Sequence, residues 1–203
     1  MRNISRLALG FLAIAALAAC SGKTTKIDFT MRRDAVLDEV QKNTRTVKVY
    51  RDLDTIFIAD VLWYTPKLRR NFIANLKSEG RINDQQVAKM NAEVAEKEGS
   101  GGSLEFITGF YTPDKTWNDL EKTNSMWSLT IKGSDGTAVS PVKVEKLKYD
   151  KMQDSWLFPF LTPWKNAYRV TFTGSGALMG MDSYTLRVSS TVGEGTFTWD
   201  APK

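Results

Sequence analysis

The chain has 203 residues, with 28 Lys and Arg against 23 Asp and Glu, one cysteine and no histidine. Without an imidazole, Ser-His-Asp and Cys-His nucleophile pairs are excluded, as are the many catalytic zinc sites that draw on histidine. One cysteine excludes a disulfide within the chain, and a net charge of +5 is too mild to call for a nucleic-acid partner.

Taken in order, residues 1–6 carry Arg2 and Arg6 and no acid, residues 7–16 are apolar apart from Gly10, and small residues then lead to Cys20. That is the layout of a secretory signal. As a helix, residues 7–19 reach about 20 Å, short of the roughly 30 Å of hydrocarbon in a bilayer. Leu17-Ala18-Ala19-Cys20 resembles the lipobox of bacterial lipoproteins. The resemblance implies cleavage before Cys20, diacylation of its thiol and acylation of the new amino terminus. Residues 1–19 are then the signal peptide, and residues 20–33 are the lipidated cysteine with its tether. Each buried methylene contributes about 0.8 kcal/mol, so two or three acyl chains hold nearly permanently. Cys20 is an expected anchor, not a nucleophile. Ser21 stands where lipoproteins kept at the inner membrane often have Asp, so the resemblance favours the outer membrane, facing the periplasm. Losing Arg2 and Arg6 leaves 26 basic and 23 acidic side chains, a net charge near +3.

Residues 34–203 are expected to form one β-rich domain. Val36, Leu37 and Val40 have helical spacing over residues 34–41. Residues 46–51 alternate around Val47 and Val49, residues 52–54 read as a turn, and residues 55–64 (TIFIADVLWY) are apolar on both faces, as in a central strand covered on both sides. Asp60 interrupts that run and is expected at an edge or beside an arginine. Thr65-Pro66 is a helix start. It is followed by the stripe Leu68, Phe72, Ile73 and Leu76, and Gly80 ends the turn. Asn83 with Gln86 suggests a second cap, ahead of the narrower stripe Val87, Met90 and Val94. A helical hairpin over about 65–99 is the result. The GSGGS segment 99–103 lacks the Lys and following helix of a phosphate loop and reads as a link. Residues 104–112 are a strand, and Trp117 sits in the loop beyond it.

From Ser125 onward the period is two. Trp127, Leu129 and Ile131 lead to the turn Ser134-Asp135-Gly136, and Val142 and Val144 are expected to return alongside them. Further strands carry Tyr168, Val170 and Phe172, then Tyr184, Leu186 and Val188, then Phe197 and Trp199. The expected fold is mainly β (α+β): an antiparallel β-sandwich, immunoglobulin-like in general architecture, with an inserted helical hairpin.

The candidate motifs for chemistry fail on context. Ser140-x-x-Lys143 lies in a strand pattern, so its ends point to opposite faces, and the companion motifs of Ser-Lys hydrolases are missing. Gly174-Ser175-Gly176 lacks the following helix of a dinucleotide site. Asp52 and Asp54 lack the later ligands of a calcium loop, so no metal and no cofactor is expected. Asp114, Asp119 and Glu121 around Trp117 are the best carboxylate cluster for a hydrolase. Residues 156–164 (WLFPFLTPW) hold two Trp, two Phe and two Pro. The prolines forbid a regular helix or central strand. The segment reads either as an irregular plug over an open end of the sandwich or as a surface for a protein or lipid partner.

Taken together, the mature region resembles uncharacterised envelope lipoproteins. The expectation is a non-enzymatic, lipid-anchored structural or accessory subunit of an envelope complex. It is bound to the membrane through Cys20 and to an envelope protein through a surface of Trp156, Phe158, Phe160, Trp164 and Trp117. Two alternatives stay open: a glycan or peptidoglycan binding module using Trp117, Trp156 and Trp164, and a carboxylate hydrolase using the Asp114 loop.

Overall fold

Side chains alternating with period two build nine strands among the described residues. The computed structural model describes residues 35–99, 102–148, 158–173, 178 and 180–201. Helix α1 (Ala35–Asn43), strand β1 (Thr44–Arg51) and strand β2 (Asp54–Trp63) precede a helical hairpin, α2 (Pro66–Ser78) and α3 (Asp84–Gly99). Strands β3 (Ser103–Tyr111), β4 (Ser128–Gly133), β5 (Ala138–Val139), β6 (Lys143–Leu147), β7 (Asn166–Thr173), β8 (Ser183–Ser189) and β9 (Glu194–Asp200) follow. They form two antiparallel sheets, of order β1-β2-β3-β7-β6 and β5-β4-β8-β9. The protein is a mainly β, α+β sandwich with an inserted helical hairpin.

One face of the five-stranded sheet supplies Phe57, Val61, Phe106 and Phe172, which pack with Ile131, Leu186 and Trp199 of the four-stranded sheet in a single core. Each fully buried side chain of this size contributes about 1.5–3 kcal/mol. Trp127 meets Phe57 and Phe110 edge-on, at 5.1 Å in both cases. The edges β1 and β9 meet at one side of the sandwich, where the Trp199 indole donates to the Asn43 carbonyl (2.7 Å) and Arg45 Nε to the Thr198 carbonyl (3.0 Å). Gly195 permits this approach, since a Cβ there would stand 2.8 Å from Val47 Cγ1.

The other face of the five-stranded sheet is also apolar at its centre, as the two-sided run in β2 predicts. Leu62, Ile107 and Ala167 need a cover, which comes from Val36 and Val40 of α1, Leu68 of α2, and Leu161. Phe158, Phe160 and Leu161, from the described part of the aromatic segment, therefore cover the outer face of a sheet instead of plugging an open end of the sandwich.

Both helix caps follow the sequence. Leu68 N–H donates to Thr65 Oγ1 (3.1 Å) ahead of Pro66. Asn83 and Gln86 exchange side-chain and backbone hydrogen bonds of 2.9 Å each, a capping box. Helix α3 is amphipathic only narrowly: Val94 is its one fully buried side chain among the described residues, while Val87 and Met90 are half-buried.

The return from β4 differs from expectation. Only Ala138 and Val139 pair back on β4, Pro141 has no N–H to continue the ladder, and β6 crosses to the other sheet to pair with β7. Val142 N–H, bonded to the Thr171 carbonyl at 2.9 Å, starts that new ladder.

Candidate functional site

Where β3 ends, Asp114 shapes the next turn. Its Oδ1 accepts from the Thr116 amide (2.8 Å) and hydroxyl (2.7 Å), closing the 3-10 turn Lys115–Trp117. The turn directs the Trp117 ring outward, 38% exposed, while its carbonyl accepts from the buried Trp127 indole at 2.7 Å. Asn118 then ties the loop to the sheet. Its Nδ2 donates to the Phe110 carbonyl (2.8 Å), and its own carbonyl accepts from the Tyr168 hydroxyl (2.7 Å) and from Asn166 Nδ2 (3.1 Å). Burial pushes the Tyr168 phenol far above its ordinary pKa, so it stays a neutral donor.

Asn166 lies two residues after Trp164, which is 78% exposed. The Asn118–Asn166 contact thus brings Trp117 and Trp164 to the same end of the sandwich. The β1–β2 hairpin reaches that end too: beyond Ile58, paired with Tyr111 at the end of β3, it continues to its tip at Asp52 and Leu53. Leu53 is 100% exposed, and Tyr50 projects beside it. The sequence Asp52-Leu53-Asp54 marks the turn, and the structure adds that its apolar side chain stands fully in water.

The other predicted surface residues fall elsewhere. Phe158 and Phe160 are half-buried in the second core, 6.1 Å apart, with Phe158 edge-on to Tyr64 at 6.3 Å. They act mainly as sheet cover. Cys20 and Trp156 lie outside the described residues.

The carboxylates near Trp117 each have a local environment instead of sharing one. Asp114 is held below the usual carboxylate range by its bonds to Thr116, and Asp119 accepts from Ser125 Oγ at 2.9 Å. Glu121 Oε2 is buried with no hydrogen-bond partner. Lys143, of the Ser-x-x-Lys match, pairs with Glu145 at 2.7 Å. Among the described residues no group of three or more His, Cys, Asp or Glu could hold a metal ion.

Two buried ion clusters lie on the outer face of the five-stranded sheet. Asp60 pairs with Lys165, not with an arginine, and accepts from Thr46 Oγ1 at 2.6 Å. It stands in a central strand, not at an edge. Glu105 pairs with Arg69 and with Lys97 (2.7 Å), and Arg169 Nε stands 4.0 Å away. Burial pushes the Glu105 carboxyl up, but the bonds and charges of Lys97 and Arg69 outweigh burial and hold it below its ordinary value. A carboxyl lowered on folding contributes stability above its unfolded pKa, and that contribution is lost as the pH falls through the lower folded value.

No helix among the described residues is long and apolar enough to cross a membrane. Compared with known proteins, the chain matches no family model and no curated protein.

Proposed function

We propose that the protein is a non-catalytic, lipid-anchored accessory subunit of a bacterial envelope complex. In this reading acyl chains on Cys20 hold it to the outer membrane, facing the periplasm, and it docks on an envelope protein through the end of the sandwich that carries Trp117 and Trp164. The single observation that carries the docking half is the outward pair Trp117 and Trp164, brought to one end by the hydrogen bonds of Asn118 with Asn166 and Tyr168, with Leu53 exposed at the same end. Tryptophans presented on a rigid frame are the usual energetic anchors of protein interfaces, because they bury a large area at little entropic cost. The anchoring half rests on the lipobox resemblance at Leu17 to Cys20 and on a cysteine that has no partner in the chain.

The anchor is tested by metabolic labelling with an alkyne fatty acid, followed by membrane fractionation. Wild-type protein is expected to take up label and sediment with outer-membrane vesicles, and Cys20→Ala is expected to lose both. A Cys20→Ala protein that still carries label would overturn the reading. The glycan alternative uses the same tryptophans and separates from docking by its product, since retention on isolated peptidoglycan without any protein adduct would favour it.

A further inference from the structure

Helix α3 is fastened by few side chains. Val94 alone is fully buried, Val87 and Met90 are half-buried on the same stripe, and the other described side chains of the helix are exposed. The helix packs on α2, whose Ile73 and Leu76 are, like Val94, buried without belonging to either of the two cores. The apolar hold on α3 is therefore local to the hairpin. Its ends are also built to turn. Helix α2 closes on itself, the Gly80 and Arg81 amides donating to the Lys77 and Leu76 carbonyls at 2.9 Å each. Helix α3 starts with its own capping box, Asn83 with Gln86. Rotation about residues 82 and 83 leaves both sets of bonds intact. Gly80 stands at φ +69° with open space where a Cβ would lie, and at the far end Gly102, at φ +76°, precedes β3.

Ion pairs reach from α3 to its neighbours, and they are unequal. Arg70–Glu98 and Lys77–Asp84 join it to α2 with both partners exposed, and pairs of that kind hold weakly. Lys97–Glu105 differs, because Glu105 of β3 is only 3% exposed and its Oε1 lies 2.7 Å from Lys97 Nζ. Arg69 of α2 takes the other oxygen, Arg169 of β7 stands 4.0 Å from it, and Glu145 with Lys143 follows on β6. Glu105 thus keeps a partner when Lys97 leaves, so this bond opens without stranding a buried charge.

We infer that α3 is a hinged strap that comes away from α2 while the sandwich stays folded, pivoting at Gly80 and Gly102 and latched by Lys97 to Glu105. Segments with few buried apolar contacts open locally, below global unfolding, and hinges lie at the ends of elements. Val94, Lys97 and Glu98 form the α3 side of a cleft that Trp63 and Leu104, 6% and 5% exposed, also line. Release of the strap opens that side of the cleft. The inference does not rest on the docking reading.

The test is thiol labelling of the full chain without its signal, carrying Cys20→Ala so that each introduced thiol is alone. Three buried positions are compared: Val94→Cys toward the far end of α3, Leu76→Cys on α2 near the turn, and Val188→Cys in the sandwich core, which reads global unfolding. The first two are expected to be labelled at similar rates, at least a hundredfold faster than the third. Lys97→Met, an exchange between residues of similar helix propensity, is expected to speed labelling at both hairpin positions about tenfold and leave Val188→Cys unchanged. Arg70→Met, which removes an exposed pair, is expected to change them less than threefold. Labelling of both hairpin positions no faster than Val188→Cys would overturn the inference. So would fast labelling at Val94→Cys without it at Leu76→Cys, which is fraying of one end, or an effect of Lys97→Met no larger than that of Arg70→Met.

Discussion

Asp60→Ala is expected to lower the unfolding free energy by about 3–5 kcal/mol, the range found when one member of a buried ion pair is removed. The effect is large because of how Lys165 reaches its partner. Asp60 is on β2 and Lys165 precedes β7, with β3 between them, and in β3 the residue paired with Asp60 is Gly109. A Cβ at Gly109 would stand 2.7 Å from Leu161 Cδ2 and 3.3 Å from Lys165 Cδ, so the lysine crosses the strand in the space a side chain would occupy. Both partners are nearly dry, with the Lys165 and Asp60 side chains 13% and 6% exposed. With the carboxylate gone, the ammonium keeps, among the described residues, the Phe160 carbonyl at 3.2 Å. Lys165→Met added to Asp60→Ala removes the stranded charge and is expected to recover most of the loss, because apolar replacement of a whole buried pair is often neutral. Urea unfolding followed by tryptophan fluorescence measures both. Equal losses in the single and double variants would show that the pair is not what the strand crossing holds.

Trp199→Ala is expected to cost about 3–5 kcal/mol, the range for removing a buried aromatic ring, and for a domain of this size to lower Tm by roughly 10 °C. Trp199 is 2% exposed, packs on Phe106 at 5.1 Å and stacks beside Phe197 at 6.4 Å. It is also one of the contacts by which the last strand holds the first elements, through its indole bond to the Asn43 carbonyl between α1 and β1. Trp199→Phe keeps most of the packing and leaves that carbonyl unpaired, at an expected cost of about 1–3 kcal/mol. Calorimetry of both variants decides whether packing or the hydrogen bond dominates. A phenylalanine variant as unstable as the alanine variant would assign the effect to the bond.

The parts of this fold that were legible in the sequence are those set by neighbours along the chain. The alternation of Tyr184, Leu186 and Val188 fixes which face of β8 is inward, the Asn83 and Gln86 pair marks the start of α3, and the two-sided apolar run of β2 places it centrally. What escaped depends on residues distant in sequence. Period two gave β6 its strand character but not its sheet, because Val144 fits an inner face equally well in either sheet until Pro141 breaks the first ladder. Asp60 stood out as a charge in an apolar strand, yet its partner lies 105 residues away and reaches it only because Gly109 is bare. The same holds for the exposed end of the sandwich. Trp117 and Trp164 are conspicuous one by one in the sequence, but it is the contact between Asn118 and Asn166 that joins them.

The most direct test of the docking proposal is site-specific photo-cross-linking in intact cells, with the photoreactive side chain placed in turn at Trp117, at Trp164 and at the exposed α3 position Glu93. The account predicts one discrete protein adduct from Trp117 and Trp164, the same in both, and none from Glu93. Adducts arising from Glu93 while both tryptophan positions give none would contradict it.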